Sequence, residues 1–332
     1  MAESENILVV GVNWIGDSVM AMPALQAFRH RHPDARLTVL VKPAVADLWA
    51  MHAAPDAVWL LERGRTGLRA TIRRIRDAGF QRAFILPNSF RSAWIPWRAG
   101  VPERHGAAGH WRRPLLTHVL RPEQLPDRRH QVFEYVRLLA PDLALADREP
   151  PRLTVPQELE QRAQELTAGC ARPLVVFLPG AARGPSKQWP AEHFVALGRR
   201  LRQETGCGLL VLGTPGEGAL CEAIAAGIGP ETLNLAGRTS LKEWIGLLGV
   251  AEVVVANDSG GMHVAAALDR PLVALYGITD PAITGPLGTR VTVLQSATGP
   301  VSRDIPRDSE AARAALTAIR PDEACAAVRH WL

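Results

Sequence analysis

At 332 residues the chain is longer than one hydrophobic core ordinarily serves, so two domains are expected, and 47% hydrophobic against 21% charged residues is an ordinary globular balance. No apolar run reaches the roughly 18 residues that span a bilayer, the acidic start M-A-E-S-E-N lacks the features of a secretion signal, and Cys170, Cys207, Cys221 and Cys325 lack metal-ligand or CxxC spacing, so a reducing, cytoplasmic location without zinc or thiol chemistry is expected. Residues 1–150 carry 21 Lys and Arg against 15 Asp and Glu, residues 151–332 carry 17 against 18, and the basic half lacks interleaved aromatics, which points away from nucleic acid and toward an anionic partner or membrane surface met by the first half alone.

The run N-I-L-V-V-G-V over residues 6–12 predicts a parallel strand buried on both faces. The loop N-W-I-G and a helix over residues 18–31 follow, and strand, glycine turn and helix open a doubly wound domain. The segment G-V-N-W-I-G-D-S approaches the phosphate-binding pattern G-x-x-x-x-G-K-[ST], but Asp17 stands at the lysine position, which disfavours a nucleoside triphosphatase; G-x-G-x-x-G does not fit either. What remains is a carboxylate in the first turn of a helix, at the carboxyl end of the first strand. Such a group serves either as a general base or as a complement to the helix dipole.

Strands over residues 37–41, 57–61 and 82–86 alternate with helices over residues 45–51 and 68–78, the second bearing Arg69, Arg73, Arg74 and Arg76. The turn P-N-S-F-R-S-A-W then lies at the same sheet edge as Asp17. Its Asn88, Ser89, Arg91 and Ser92 are suited to hydroxyls or an acidic group, and Ser89 equally to capping the helix that begins there. Residues 100–126 read as an irregular functional loop with Trp111, and a second arginine cluster runs through Arg112, Arg113, Arg121, Arg128 and Arg129. An amphipathic helix is expected over residues 130–139.

The proline-rich stretch 141–156 reads as a linker, placing the domains at residues 1–150 and 151–332. After a helix over residues 157–167, a second doubly wound unit starts with a strand over 174–178. Its first turn, P-G-A-A-R-G-P-S-K-Q-W-P, exposes backbone N–H groups near Gly180 beside the fixed charge of Lys187. A helix over 191–203 and a strand over 208–212 lead to G-T-P-G-E-G, where Glu217 is suited to ribose hydroxyls or to capping the helix it precedes. Residues 234–240 form another turn before a helix. Residues 253–277, V-V-V-A-N-D-S-G-G-M-H-V-A-A-A-L-D-R-P-L-V-A-L-Y-G, then read as one βαβ unit: strand 253–256, turn 257–261, helix 262–268, strand 272–276. Asp258 and Ser259 are N-cap types and Gly260 lets a ligand approach the backbone, so an anion is expected there, with His263 at the side of the opening. The plainer alternative is a capped crossover helix with one surface histidine.

Taken together, V-V-G-V-N-W-I-G-D-S-V-M-A-M-P-A-L, L-P-N-S-F-R-S-A-W, F-L-P-G-A with K-Q-W-P, L-A-G-R-T-S-L and the N-D-S-G-G-M-H-V-A-A-A-L block resemble the lipopolysaccharide heptosyltransferases of glycosyltransferase family 9 over nearly the whole chain. The likeness weakens over residues 295–309, where A-T-G-P-V-S-R-D-I-P replaces a segment that often contains cysteine. The resemblance implies a GT-B architecture, two Rossmann-like doubly wound domains facing a central cleft, the first for the acceptor and the second for ADP-heptose. It also implies transfer of L-glycero-D-manno-heptose with inversion and without a required metal or other cofactor. By the same resemblance Asp17 is the catalytic base and Lys187 stabilises the departing ADP. Gly180, Lys187, Glu217, Asp258, Ser259, Gly260 and His263 are expected to meet the donor, and Asn13, Asn88, Ser89 and Arg91 the acceptor. The implied acceptor is the anionic heptose/Kdo inner core on lipid A, which places the protein peripherally on the cytoplasmic face of the inner membrane. Alternatives are a protein or small-glycoside acceptor, a sugar-nucleotide epimerase, or a non-catalytic nucleotide-sugar sensor.

Overall fold

The structure, a computed structural model, describes residues 5–121, 130–143, 149–182, 184–296 and 310–332, and the chain divides into two compact units, Met1–Thr154 and Val155–Leu332. Arg128, Arg129, residues 144–148 of the proline-rich stretch and residues 297–309 of the divergent segment lie outside the described residues.

In the first unit the elements run β1 (Asn6–Val10), α1 (Ile15–Arg31), β2 (Arg36–Val41), α2 (Pro43–Ala50), β3 (Ala57–Leu60), α3 (Gly64–Asp77), β4 (Arg82–Ile85), α4 (Phe90–Ala99), β5 (Glu103–Ala107), β6 (His118–Leu120) and α5 (Val132–Leu139). The strands form one parallel sheet in the order β3-β2-β1-β4-β5-β6. Successive strands leave β1 on one side and return on the other, so strand order reverses between β1 and β4, where the loops after both strands diverge and ligands ordinarily bind. β1 is central because Ile7, Leu8, Val9 and Val10 have no polar side chain to keep wet, and all four are buried. On one sheet face Leu8, Val10, Ala83 and Ile85 pack with Ile72 and Ile75 of α3. That helix turns Arg65, Arg69, Arg73 and Arg76 outward at three- and four-residue spacing.

The described part of the stretch 100–126, residues 100–121, is not the irregular excursion expected. It supplies β5 and β6, which extend the sheet in register with β4. The strand signal is hidden because β5 reads E-R-H-G-A and its polar groups are satisfied by side chains: Arg82 Nε donates to Glu103 Oε2 at 2.8 Å, and the His105 and His118 rings stack at 4.1 Å. The end of the proline-rich stretch is clamped to the first unit, with Gln26 bonded to Pro150 O at 3.0 Å and to Arg152 N at 3.1 Å, and Thr154 N donating to Met51 O at 3.0 Å.

The second unit comprises α6 (Gln157–Leu166), β7 (Leu174–Leu178), α7 (Ala191–Thr205), β8 (Gly208–Val211), α8 (Gly218–Ile228), β9 (Leu233–Asn234), α9 (Leu241–Gly249), β10 (Val253–Asn257), α10 (Gly260–Ala267), β11 (Leu272–Tyr276), α11 (Pro281–Thr284), β12 (Val291–Gln295), α12 (Glu310–Thr317) and α13 (Pro321–Trp331). Its sheet is also parallel, ordered β12-β11-β10-β7-β8-β9, and reverses between β7 and β10. Every residue of β7, β10 and β11 is buried, as their continuous apolar runs require. The half-exposed edge strand β12, V-T-V-L-Q, joins β11 without having announced itself in the sequence.

Candidate functional site

At the reversal point of the first sheet, β1 ends in the turn bearing Asn13 and Trp14, and Asp17 is the third residue of α1. A carboxylate in this first turn faces the positive end of the helix dipole. Asp17 Oδ1 also accepts a hydrogen bond from Gln131 Nε2 at 3.2 Å. The same amide donates to Tyr135 OH at 3.0 Å. Burial, and after it the negative charge of Asp17, pushes the Tyr135 phenol upward, so it stays neutral. Asn13, Asn88, Ser89 and Arg91 are exposed, and so are Trp14 at 67% and Phe90 at 48%, giving this edge polar groups beside apolar faces.

The loop after β4 is tied from beneath. Arg112 is fully buried and donates to Ala107 O at 2.8 Å, to Pro87 O, and to Asn88 Oδ1 at 3.1 Å. Burial pulls its guanidinium down to about 10. Since Asn88 Oδ1 is taken, the amide presents its NH2 side outward, toward acceptors such as sugar oxygens or anions. Ser89 caps α4, its Oγ accepting from Ser92 N at 3.2 Å. Arg112 therefore belongs to the support of this loop and not to a solvated cluster.

At the reversal point of the second sheet, Gly180 follows β7, Lys187 closes a short 3-10 turn over Pro185–Lys187, and Asp258, Ser259 and Gly260 join β10 to α10. Lys187 Nζ and Asp258 Oδ2 form an ion pair with side chains 13% and 8% exposed, and Thr279 Oγ1 donates to the same carboxylate oxygen at 2.5 Å. Asp258 thus holds the lysine rather than capping α10. Ser259 occupies the N-cap without a side-chain cap bond, so its side chain does not occupy the helix's first amides. His263 is buried at 5% exposure, one turn into α10, and is not the surface histidine of the plainer sequence reading. Glu217 closes a capping box, with Thr214 N and Oγ1 donating to its Oε2 at 2.7 and 2.9 Å. Its other oxygen lies against Gly180, where a Cβ would come within 1.9 Å of it, so a larger residue there would have to displace the Glu217 carboxylate.

Two supporting residues escaped the sequence reading. Asn257 ends β10 fully buried, its Oδ1 accepting from Trp189 N at 3.1 Å and its Nδ2 donating to Pro179 O at 2.6 Å, which fixes both ends of the Lys187 loop. The signal was present as an amide closing an otherwise apolar strand. Thr279 carried none, because its partner lies 21 residues away. Among the described residues, no group of three or more His, Cys, Asp or Glu is placed to hold a metal ion.

Tandem doubly wound units, with a carboxylate at the first switch point and an ion-paired lysine beside a helix N-terminus at the second, are the architecture of the GT-B class. The pattern of glycosyltransferase family 9 (heptosyltransferase) matches residues 68–310. The chain is 34% identical to lipopolysaccharide heptosyltransferase 2 of Salmonella typhimurium over 317 residues, 88% of each chain, and 32% identical to lipooligosaccharide heptosyltransferase 2 of Haemophilus ducreyi over 329 residues, 87% of this chain and 88% of the relative. It also matches the solved structure of ADP-heptose lps heptosyltransferase II from E. coli, with a TM-score of 0.85, 29% identity and 98% coverage of each chain. This chain belongs to glycosyltransferase family 9, the heptosyltransferases.

Proposed function

We propose that this heptosyltransferase transfers L-glycero-D-manno-heptose from ADP-heptose, with inversion, onto the heptose/Kdo inner core of lipopolysaccharide, adding the second heptose. The names of its relatives support the donor and the acceptor class, and the chemistry divides between the two units. The acceptor hydroxyl gives its proton to the Asp17 carboxylate while its oxygen attacks the anomeric carbon from the face opposite the nucleotide. The bond from that carbon to the β-phosphate oxygen breaks, and ADP leaves with the electron pair. Lys187 and the first amides of α10 meet the charge that grows on the pyrophosphate. An ammonium has three donors, so Lys187 contacts phosphate while one remains on Asp258. Glu217 and Gly180 are assigned to the ribose side of the donor, Asp258, Ser259, Gly260 and His263 to its pyrophosphate and sugar, and Asn13, Asn88, Ser89 and Arg91 to the acceptor. No metal is needed in this scheme, since ADP is an already acidic leaving group. The enzyme works in the cytoplasm, at the inner membrane face where the acceptor is displayed.

The observation that carries the reading is Asp17 at the first switch point, held by Gln131 in the first turn of α1. Purified protein is to be incubated with ADP-heptose and Kdo-lipid A bearing zero or one heptose, and the products weighed by mass spectrometry. One heptose should be added to the mono-heptosyl acceptor, and Asp17→Asn should lose about 10²-fold or more in turnover while keeping ADP-heptose binding. Donor consumption without acceptor, or a fully active D17N, would overturn the assignment.

A further inference from the structure

Gln131 stands where a side chain could cap its own helix, and it leaves that bond to a neighbour. It holds the N-cap position of α5 with φ −58° and ψ −26°, yet its side chain makes no cap bond; His130 Nδ1 accepts from Val132 N at 3.2 Å instead. The glutamine amide reaches out of its own segment to Asp17, 114 residues earlier in the chain. Its second bond, to Tyr135 OH one turn along α5, assigns both hydrogens of the NH2 group. A carboxylate only accepts, so chemistry fixes which side of the amide faces α1. Tyr135 is 5% exposed, on a helix that packs against α1, so it cannot follow a swinging side chain. The donor that Gln131 offers to Asp17 is a neutral amide, so this bond orients the carboxylate without adding a charge beside it.

We infer that Gln131, tethered to Tyr135, is the positioning residue of the catalytic base, fixing the carboxylate rotamer of Asp17 and hence the direction from which it receives the acceptor proton. This inference rests on the reading of Asp17 as the base. A neutral tether of this kind acts on the chemical step and leaves the donor site, built entirely by the second unit, untouched.

The test is a double-mutant cycle in kcat, with ADP-heptose and mono-heptosyl Kdo-lipid A as substrates. Gln131→Leu keeps the volume and removes the donor. It should lower kcat on the order of 10-fold or more, with KM for ADP-heptose within about twofold of the parent. In the D17N background it should cost nothing further, because the group it acts through has gone. Tyr135→Phe, which keeps the ring and removes the phenol oxygen, should show a smaller loss that also vanishes in that background, and it serves if Q131L does not fold. A loss of equal size with and without Asp17, a donor KM that moves with kcat, or an unimpaired Q131L overturns the positioning role. A D17N enzyme that keeps turnover sinks the base itself, whereas one that loses turnover beside a fully active Q131L sinks only the tether.

Discussion

Lys187 and Asp258 show how far a single side chain can be understood alone. Each was legible in the sequence as a candidate for the donor site, the lysine from a glycine-bearing turn and the aspartate from the start of a crossover helix. Their pairing was not, because 71 residues separate them and only the adjacency of β7 and β10 brings them together. The pair has a consequence that separates stability from catalysis. Lys187→Met leaves Asp258, 8% exposed, without its counter-charge. Breaking a buried pair from one side costs about 3–5 kcal/mol, and removing a donor from a developing oxyanion costs about 10²–10³-fold in kcat. Urea unfolding of K187M should therefore show reduced stability together with a near loss of turnover. The double variant Lys187→Met/Asp258→Asn, whose neutral amide still accepts from Thr279, should recover much of the stability and none of the turnover. Recovery of both would mean that the lysine serves only to hold the loop.

The elements that carry the site were read nearly where they lie, and those that flank it were not. β7, β10 and β11 are short apolar runs, closed in β10 by Asn257 and bounded by turn residues, and that length with those flanks suits a buried parallel strand. β5 is short and polar and β6 is only three residues long; both are held by their neighbours' hydrogen bonds, and a periodicity argument has little to count in them. The proposed donor site depends on how closely α10 lies on β7. A Cβ on Gly261 would sit 2.5 Å from Leu178 Cδ1 and 3.3 Å from the Trp244 ring, so glycine sets that distance. Gly261→Ala should cost about 1–3 kcal/mol by overpacking and should weaken ADP-heptose binding several-fold, since the amides proposed to meet the pyrophosphate move with the helix. Leu178→Ala opens the space the new methyl needs. Denaturation of the two single variants and their combination should then give a double variant clearly less destabilised than the sum, and strict additivity would place the strain elsewhere.

Across the whole chain, charge divides between the two halves as the proposed roles do. The basic excess lies in residues 1–150, and the other half is close to neutral. No described helix is long and apolar enough to cross a membrane. The attraction proposed toward a lipid-anchored acceptor is assigned to exposed basic side chains. The residues best placed for it are Arg65, Arg69, Arg73 and Arg76, exposed along α3, whereas Arg74 is engaged over the Trp59 ring at 3.7 Å. The sequence displayed the arginines but not which of them are committed inward; Arg112, from the second cluster, turns out to be a buried strut. Each basic residue near an acidic lipid surface contributes about 1 kcal/mol, and the attraction fades beyond a Debye length of about 10 Å at 0.1 M salt. Co-sedimentation with vesicles containing acidic lipid should therefore weaken steadily as salt rises. Arg69→Glu/Arg73→Glu should weaken it by about 10-fold or more while leaving turnover on a delipidated acceptor unchanged, because neither residue belongs to the Asp17 or Asn88 loops. Vesicle binding indifferent both to salt and to the charge reversal would remove α3 as the membrane-facing surface.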